Sequence, residues 1–460
     1  MDNQRVSNLL KTIGPGILFA STAIGVSHLV QSTRAGANFG FALIPFIIAA
    51  NLFKYPFFEF GSRYANATGE SLIDGYKRIG KWMLWLYFLI TLGSMFFVTS
   101  AVGAVTSGFL QNLFGITGLG LLPTVILFVV CAGILLAGKY GLLDSMMKII
   151  GAVLLASTIL AFVLALFKGA NPPSLGFEAP ELWSEGSVLF IIALMGWMPT
   201  AVDLSTWTSL WTIARIKQTG YKPTLKETLL DFNFGYIVSA VLAVCFVTLG
   251  AYILYGSNIK LPDSAGSFAH SVVGLFTEFI GDWSYIIIAA AAFSIMFGTC
   301  IAVFDGYSRS LERVVGLLFM NPKNESVDEL ESDETLERNT EDLIDDALLH
   351  FSSGNKVASR RVIDTSRIYT GALSVVVVGS FLVYYFFGSH LKSLVDLATT
   401  ISFLIAPVIA IVNFRLVTGR YISEEAKPKL WLRLLSFAGI LFLSFFAFYF
   451  AWIKLEPLLF

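Results

Sequence analysis

Residues Ile13 to Gly40 read IGPGILFASTAIGVSHLVQSTRAGANFG. The run is long and apolar enough to enter a bilayer. Its middle, however, is Gly25-Val26-Ser27-His28, followed by Gln31, Ser32, Thr33 and Arg34. Glycine, hydroxyls and an imidazole suit no lipid-facing helix, because hydrocarbon offers their polar groups no partner. They suit a helix that breaks and lines a cavity. Ala193 to Trp207, ALMGWMPTAVDLSTW, has the same character, with Gly196, Pro199 and Asp203 inside an apolar segment. Paired interrupted helices in the two halves of a membrane chain mark a central solute site.

Working outward, the whole chain fits this class. Its 460 residues are 56% hydrophobic and only 14% charged, with 41 Phe. A soluble chain would carry about 25% charged residues. The chain is therefore expected to be an all-α polytopic membrane protein. Net charge is −1, which says nothing about partners. Cys131, Cys245 and Cys300 all fall in apolar segments. They read as buried thiols and not as a disulfide framework or a zinc site. The polar start, MDNQRVSNLLKTIGPG, runs straight into the first span, so no cleavable signal peptide is expected.

At about 20 apolar residues per crossing, eleven spans are expected, at about 13–36, 40–62, 82–112, 118–138, 146–168, 187–212, 232–256, 283–306, 367–388, 391–414 and 431–453. Lys and Arg fall on alternate loops. Arg5 and Lys11 precede the first span. Arg63, Lys77, Arg78 and Lys81 follow the second, and Lys139 and Lys148 flank the next same-side turn. Arg215, Lys217, Lys222 and Lys226 follow the sixth, Arg309 to Arg367 the eighth, and Arg415 to Arg433 the tenth. The opposite loops hold Arg34, Lys168, Lys260 and little else. This bias places the N-terminus in the cytoplasm and the C-terminus outside, in the plasma (inner) membrane. Between the eighth and ninth spans, about 321–359, lies the acidic run ESVDELESDETLERNTEDLIDD. It reads as a solvated cytoplasmic loop, without the ligand spacing of a calcium loop.

The opening stretch resembles the Nramp family of divalent-metal transporters. The match runs without gaps from Gly14-Pro15 through Phe39-Gly40, into Ala50-Asn51-Leu52, Ser62-Arg63 and Ala67-Thr68-Gly69-Glu70-Ser71-Leu72. Met198-Pro199, Asn112-Leu113-Phe114-Gly115-Ile116, Arg360-Arg361 and Pro407 continue it. The resemblance implies a LeuT-like fold in one transmembrane unit over 1–460. Two inverted five-helix repeats would cover about 13–168 and 187–414, with an extra helix at about 431–453. The departures are equally specific. The family's Asp-Pro-Gly-Asn signature falls on Gly25-Val26-Ser27-His28, so that the metal-binding Asp is replaced by Gly25 and the Asn by His28. The small residue three before the family's Met is Met195, the His after its Met-Pro is Thr200, and a later His is Ser205. The third-span proton-route acids fall on Thr99 and Val102. A tenth-span Gln that helps to hold the ion falls on Thr399.

The candidate solute-binding residues are therefore Gly25, His28, Met195, Met198, Thr200, Asp203 and Thr399, with His28 and Met198 as the metal ligands. Thioether and imidazole suit transition metals better than magnesium or calcium. His28 is a ligand or proton carrier, or else a helix-interface histidine bonded to Ser27 or Ser32. Asp203 is a counter-charge, or else caps the second half of its span. Asp305 reads as a gate or a structural ion pair, Arg34 as snorkelling to the interface, and Glu59 as pairing with a loop base. Trp82, Trp85, Trp183 and Trp283 read as an interfacial belt.

No G-x-x-x-x-G-K-[ST] loop is present, so ATP-driven transport within this chain is not expected. Neither is an enzyme. The leading expectation is a secondary transporter moving a metal cation by alternating access, with an altered ion site. It would need no cofactor and no nucleic acid, would be surrounded by lipid, and would act as a monomer. The same fold carrying a small anion or organic solute is the alternative, because half-helix N-termini attract anions. A non-transporting membrane sensor is the third.

Overall fold

The structure is a computed structural model that describes residues 11–116, 119–137, 155–257, 259, 261–319, 355–388 and 390–459. Among the described residues there is no strand. The helices are α1 (Pro15–Ala23), α2 (Thr33–Phe39), α3 (Ile44–Thr68), α4 (Leu72–Ile79), α5 (Lys81–Phe114) and α6 (Leu122–Leu136). They continue with α7 (Leu155–Lys168) and α8 (Glu185–Gly196), α9 (Ser205–Thr219), α10 (Leu225–Leu254), α11 (Ala265–Ile280), α12 (Tyr285–Phe319), α13 (Asn355–Phe387), α14 (Leu391–Thr418) and α15 (Leu430–Leu459). α5, α10, α14, most of α15, the segment Asp282–Phe319 and the stretch Arg367–Phe387 of α13 are each long and apolar enough to cross a bilayer. The chain is an integral membrane protein.

Both expected interruptions are present. α1 starts on a Pro at its first turn and stops at Ala23, where Ile24 leaves helical geometry (φ −79°, ψ 67°). The chain resumes as a π-helical turn, Ser27–Ser32, that leads into α2. α8 starts on the Ser184 hydroxyl, which accepts from Ser187 N. It stops at Gly196 because Pro199 has no N–H and its ring would strike the preceding turn. The chain re-enters helix through the 3₁₀ turn Val202–Leu204 and then α9.

The halves of the first span are locked to α10 by backbone contact. A Cβ on Gly36 would lie 2.0 Å from Val247 O, and one on Gly235 would lie 2.0 Å from Gly16 O. Small residues let helix backbones meet in lipid, where no hydrophobic drive holds helices together. The Asp231 carboxylate of α10 accepts from Gly14 N at 3.2 Å and Gly16 N at 2.7 Å, so an acid caps the start of α1. Gly36→Val should therefore destabilise by about 1–3 kcal/mol, the range for overpacking. A thermal-unfolding midpoint in detergent several degrees below the wild type is the expected result, and an unchanged midpoint would show that this contact yields.

Four expectations need correction or placing. Arg34 does not snorkel. It is buried, bonds Asp396 through both terminal nitrogens (2.7 and 2.9 Å), and sits 4.9 Å from the ring centre of Phe190. α3 runs to Thr68, so Arg63 is in the helix and not in a loop. Its guanidinium pairs with Glu59 one turn back and donates to Ala426 O at 2.7 Å. The acidic run and the start of the fifth span lie outside the described residues. Cys131, Cys245 and Cys300 are buried and unbridged, as expected, and Trp82, Trp85, Trp183 and Trp283 are exposed at helix ends.

Candidate ion site

The break in the second interrupted span creates a local problem of hydrogen bonding. A helix that ends leaves its last carbonyls without partners, and α8 ends inside the protein, with Met195, Gly196, Trp197 and Met198 all buried. The partner is Lys54 of α3. Its Nζ donates to Met195 O at 2.6 Å, Gly196 O at 2.8 Å and Thr200 O at 3.2 Å. An ammonium has three protons and no acceptor, so three carbonyls satisfy it. Lys54 is 0% exposed, and a buried charge persists only where it is bonded and compensated.

The acid on the same interrupted span is Asp203, which is buried and forms no direct ion pair with Lys54. Its Oδ1 has no hydrogen-bond partner. Asp203 lies in the first turn of the 3₁₀ segment, where the N-terminal dipole favours an acid, but its side chain makes no capping hydrogen bond. Tyr87 Oη meets Thr206 Oγ1 at 2.9 Å, and Thr206 Oγ1 donates to Asp203 O at 2.9 Å.

The sequence candidates thus divide. Met195, Met198, Thr200 and Asp203 lie together on the interrupted span. Thr399 adjoins them through its backbone, since a Cβ on Gly196 would lie 2.1 Å from Thr399 O. Its hydroxyl is spent inside α14 on Val395 O (2.9 Å) and Asp396 O (3.0 Å). At Gly25 the space for a side chain is taken by Thr299 of α12. An added Cβ would lie 2.8 Å from its Cγ2 and 3.0 Å from its Oγ1. Thr299 itself donates to Ser21 O at 2.9 Å.

His28 has both ring nitrogens engaged, Nε2 with Ser239 O of α10 and Nδ1 with Ser27 Oγ, each at 2.7 Å. The carbonyl only accepts, so Nε2 carries a proton. On α5, Thr99 and Val102, where the resemblance to Nramp leads one to look for acids, are buried, and Thr99 Oγ1 has no partner. Asp305 holds a structural ion pair. It accepts from Arg309 Nε at 2.7 Å and from Tyr369 Oη at 2.9 Å, joining α12 to α13.

Sequence reasoning missed Lys54 and Asp396. For Lys54 a signal existed, because a single lysine inside an apolar span is by default a functional candidate. For Asp396 there was little, since an acid near a span end is ordinary until its partner is known.

Comparison with known proteins places this geometry. A mutant of the Eremococcus coleocola manganese transporter superposes with a TM-score of 0.67 at 12% identity, covering 97% of this chain and 87% of that one. MhsT in complex with L-phenylalanine gives 0.58 at 12% identity, covering 94% and 98%. Mhp1, a nucleobase-cation-symport-1 family transporter, gives 0.55 at 16% identity, covering 96% and 93%. These likenesses establish the fold, a LeuT-like arrangement of two inverted five-helix repeats plus an eleventh helix, as the sequence led us to expect. The protein PM0681 of Pasteurella multocida (strain Pm70) is 39% identical over 302 residues, 65% of this chain and 69% of its own length. The family model for natural resistance-associated macrophage protein-like chains matches residues 16–316, and this chain belongs to that family, Nramp.

Proposed function

We propose that the chain is a secondary transporter that moves a metal cation across the membrane by alternating access, and that the cation is held where α8 ends. One observation carries this reading: the buried carbonyls of Met195, Gly196 and Thr200 converge on a positive charge. The break is built to replace the solvent around a cation. Met198 lies between two of these carbonyls in the chain and adds a soft donor, which favours a transition metal over magnesium. Asp203 supplies the negative charge that Gly25 does not. Family membership supports transport and not catalysis, and it agrees with the manganese transporter named above. The charge bias of the loops supports a cytoplasmic N-terminus.

Of the two ligands singled out from sequence, we assign Met198 to the cation. His28 we assign to the seam between the first span and α10, because ligation would cost it a bond to Ser27 or to Ser239 O. The test is Mn²⁺ binding by calorimetry and Mn²⁺ uptake into proteoliposomes. Met198→Ala should weaken binding about tenfold, equivalent to about 1.4 kcal/mol. His28→Ala, in folded protein, should leave affinity within about twofold. No saturable binding and no uptake of any transition metal by the wild type would reject the cation reading.

A second reading has its own support. If Lys54 never leaves the carbonyls, the fixed ammonium does the work of a bound cation. The solute would then be a small anion or zwitterion, screened by uptake in the same vesicles.

A further inference from the structure

We propose that Lys54 is a tethered cation. Its ammonium and the mobile cation are alternative occupants of one cage, formed by Met195 O, Gly196 O, Thr200 O and the charge of Asp203, and each excludes the other. The inference rests on the reading of this break as the cation site and adds the device that controls access to it.

Four observations carry it. The three carbonyls number the three protons of an ammonium, and nothing else among the described residues donates a side-chain hydrogen bond to them. The charge is delivered from a different helix. α3 is fixed against α9, where a Cβ on Gly61 would lie 2.3 Å from Ser205 O, while the lysine stem has four rotatable carbons. The anchor is rigid and the arm can withdraw. Asp203 Oδ1 is buried and unpartnered, so the cage has more acceptor capacity than one ammonium uses, as a site for a more highly charged guest would. Finally, the break of the first span has Gly25 and no carboxylate, and Thr299 fills the space beside it, which leaves the carbonyls and the acid of the second interrupted span to hold a positive charge.

Mutual exclusion makes Lys54 a selectivity element. A cation gains the cage only if its own contacts exceed those of the ammonium, and the returning ammonium helps to expel it. Met195 O also accepts from Met198 N at 3.3 Å, but in the absence of a cation the ammonium keeps Gly196 O and Thr200 O from being left bare, which would cost about 1–3 kcal/mol for each unsatisfied buried group.

The experiment uses purified full-length protein in detergent at fixed pH and ionic strength. Thermal midpoints of wild type, Lys54→Ala and Lys54→Met are compared in methylammonium, K⁺, Na⁺ and Mn²⁺, with choline as the balancing ion. Lys54→Ala leaves room for a small cation and should be stabilised saturably by at least one of the four, with the wild-type response absent or at least about tenfold weaker in concentration. Lys54→Met fills the space without charge and should be destabilised whatever cation is present. A Lys54→Ala response equal to that of wild type, or full stability of Lys54→Ala without any cation, would overturn the proposal. If Lys54→Ala yields no folded protein, Lys54→Gln is measured instead. Its neutral amide competes less well, so its Mn²⁺ affinity should be about tenfold tighter than wild type, and equal affinity overturns the proposal. Wild-type Mn²⁺ uptake is recorded separately. Uptake with an unresponsive Lys54→Ala rejects the tether and keeps the transporter. Cation rescue of Lys54→Ala without wild-type uptake rejects metal transport and keeps the tether.

Discussion

Asp203→Asn is expected to abolish measurable Mn²⁺ uptake in proteoliposomes, a loss of at least about 100-fold, while Asp203→Glu keeps about a tenth of the rate or more. The argument is electrostatic. The described residues contain no cluster of three or more His, Cys, Asp or Glu that could hold a metal. The donors around the break of α8 are neutral carbonyls and a thioether, and the nearby cationic group is Lys54. Asp203 is the acidic residue on the same interrupted span, and we assign the counter-charge to it. At an effective dielectric constant of about 20, a carboxylate close to a divalent ion contributes several kcal/mol, part of which offsets the desolvation of both. A net loss of about 3 kcal/mol corresponds to about 100-fold. The amide keeps shape and hydrogen-bonding capacity, so a loss in Asp203→Asn reports charge and not packing. Uptake by Asp203→Asn within about threefold of wild type would place the counter-charge elsewhere. A melting curve must accompany the assay, because Asp203 is buried.

What the sequence made legible follows physical lines. The breaks at Gly25 and Pro199 were readable because polar groups and proline inside an apolar run have no other stable explanation in a bilayer. The cluster of Met195, Met198, Thr200 and Asp203 was readable because its members are neighbours in the chain. What escaped was long-range. Lys54 meets carbonyls more than 140 positions away, and Arg34 meets Asp396 at a separation of 362, so no local pattern announces either. The orientation of His28 escaped for the same reason. Periodicity places it in a break, but only the packing of α10 decides that its Nε2 is spent on Ser239 O. The room at Gly25 likewise depends on Thr299, which lies on α12.

The Arg34–Asp396 pair should hold the chain closed on the side that the loop charges place outside. Arg34 reaches Asp396 Oδ1 and Oδ2 with its two terminal nitrogens, Gln31 Nε2 donates to Oδ1 at 3.0 Å, and Arg34 also donates to Gln31 Oε1 at 2.9 Å. Its guanidinium lies over Phe190 of α8. One side chain therefore ties the first span to α14 and to α8. A forked, charge-assisted contact is the strong kind, but the Asp396 side chain is 34% exposed. Water screens the pair, and its coupling should be about 1–2 kcal/mol, below that of a buried pair. Ser402 of α14 is buried and accepts from Trp197 Nε1 at 2.9 Å, beside the break of α8, so a cysteine there reports access to the break. In a Ser402→Cys background, Arg34→Gln and Asp396→Asn should each raise labelling by an impermeant maleimide about tenfold, which is about 1.4 kcal/mol of population. Combining them should raise it little further, because the second change removes a contact already lost. Arg34→Lys should resemble Arg34→Gln more than wild type, since a point charge cannot make the fork. Additive effects of the two neutral variants, or labelling unchanged in both, would show that closure on this face is carried by helix packing and not by the ion pair.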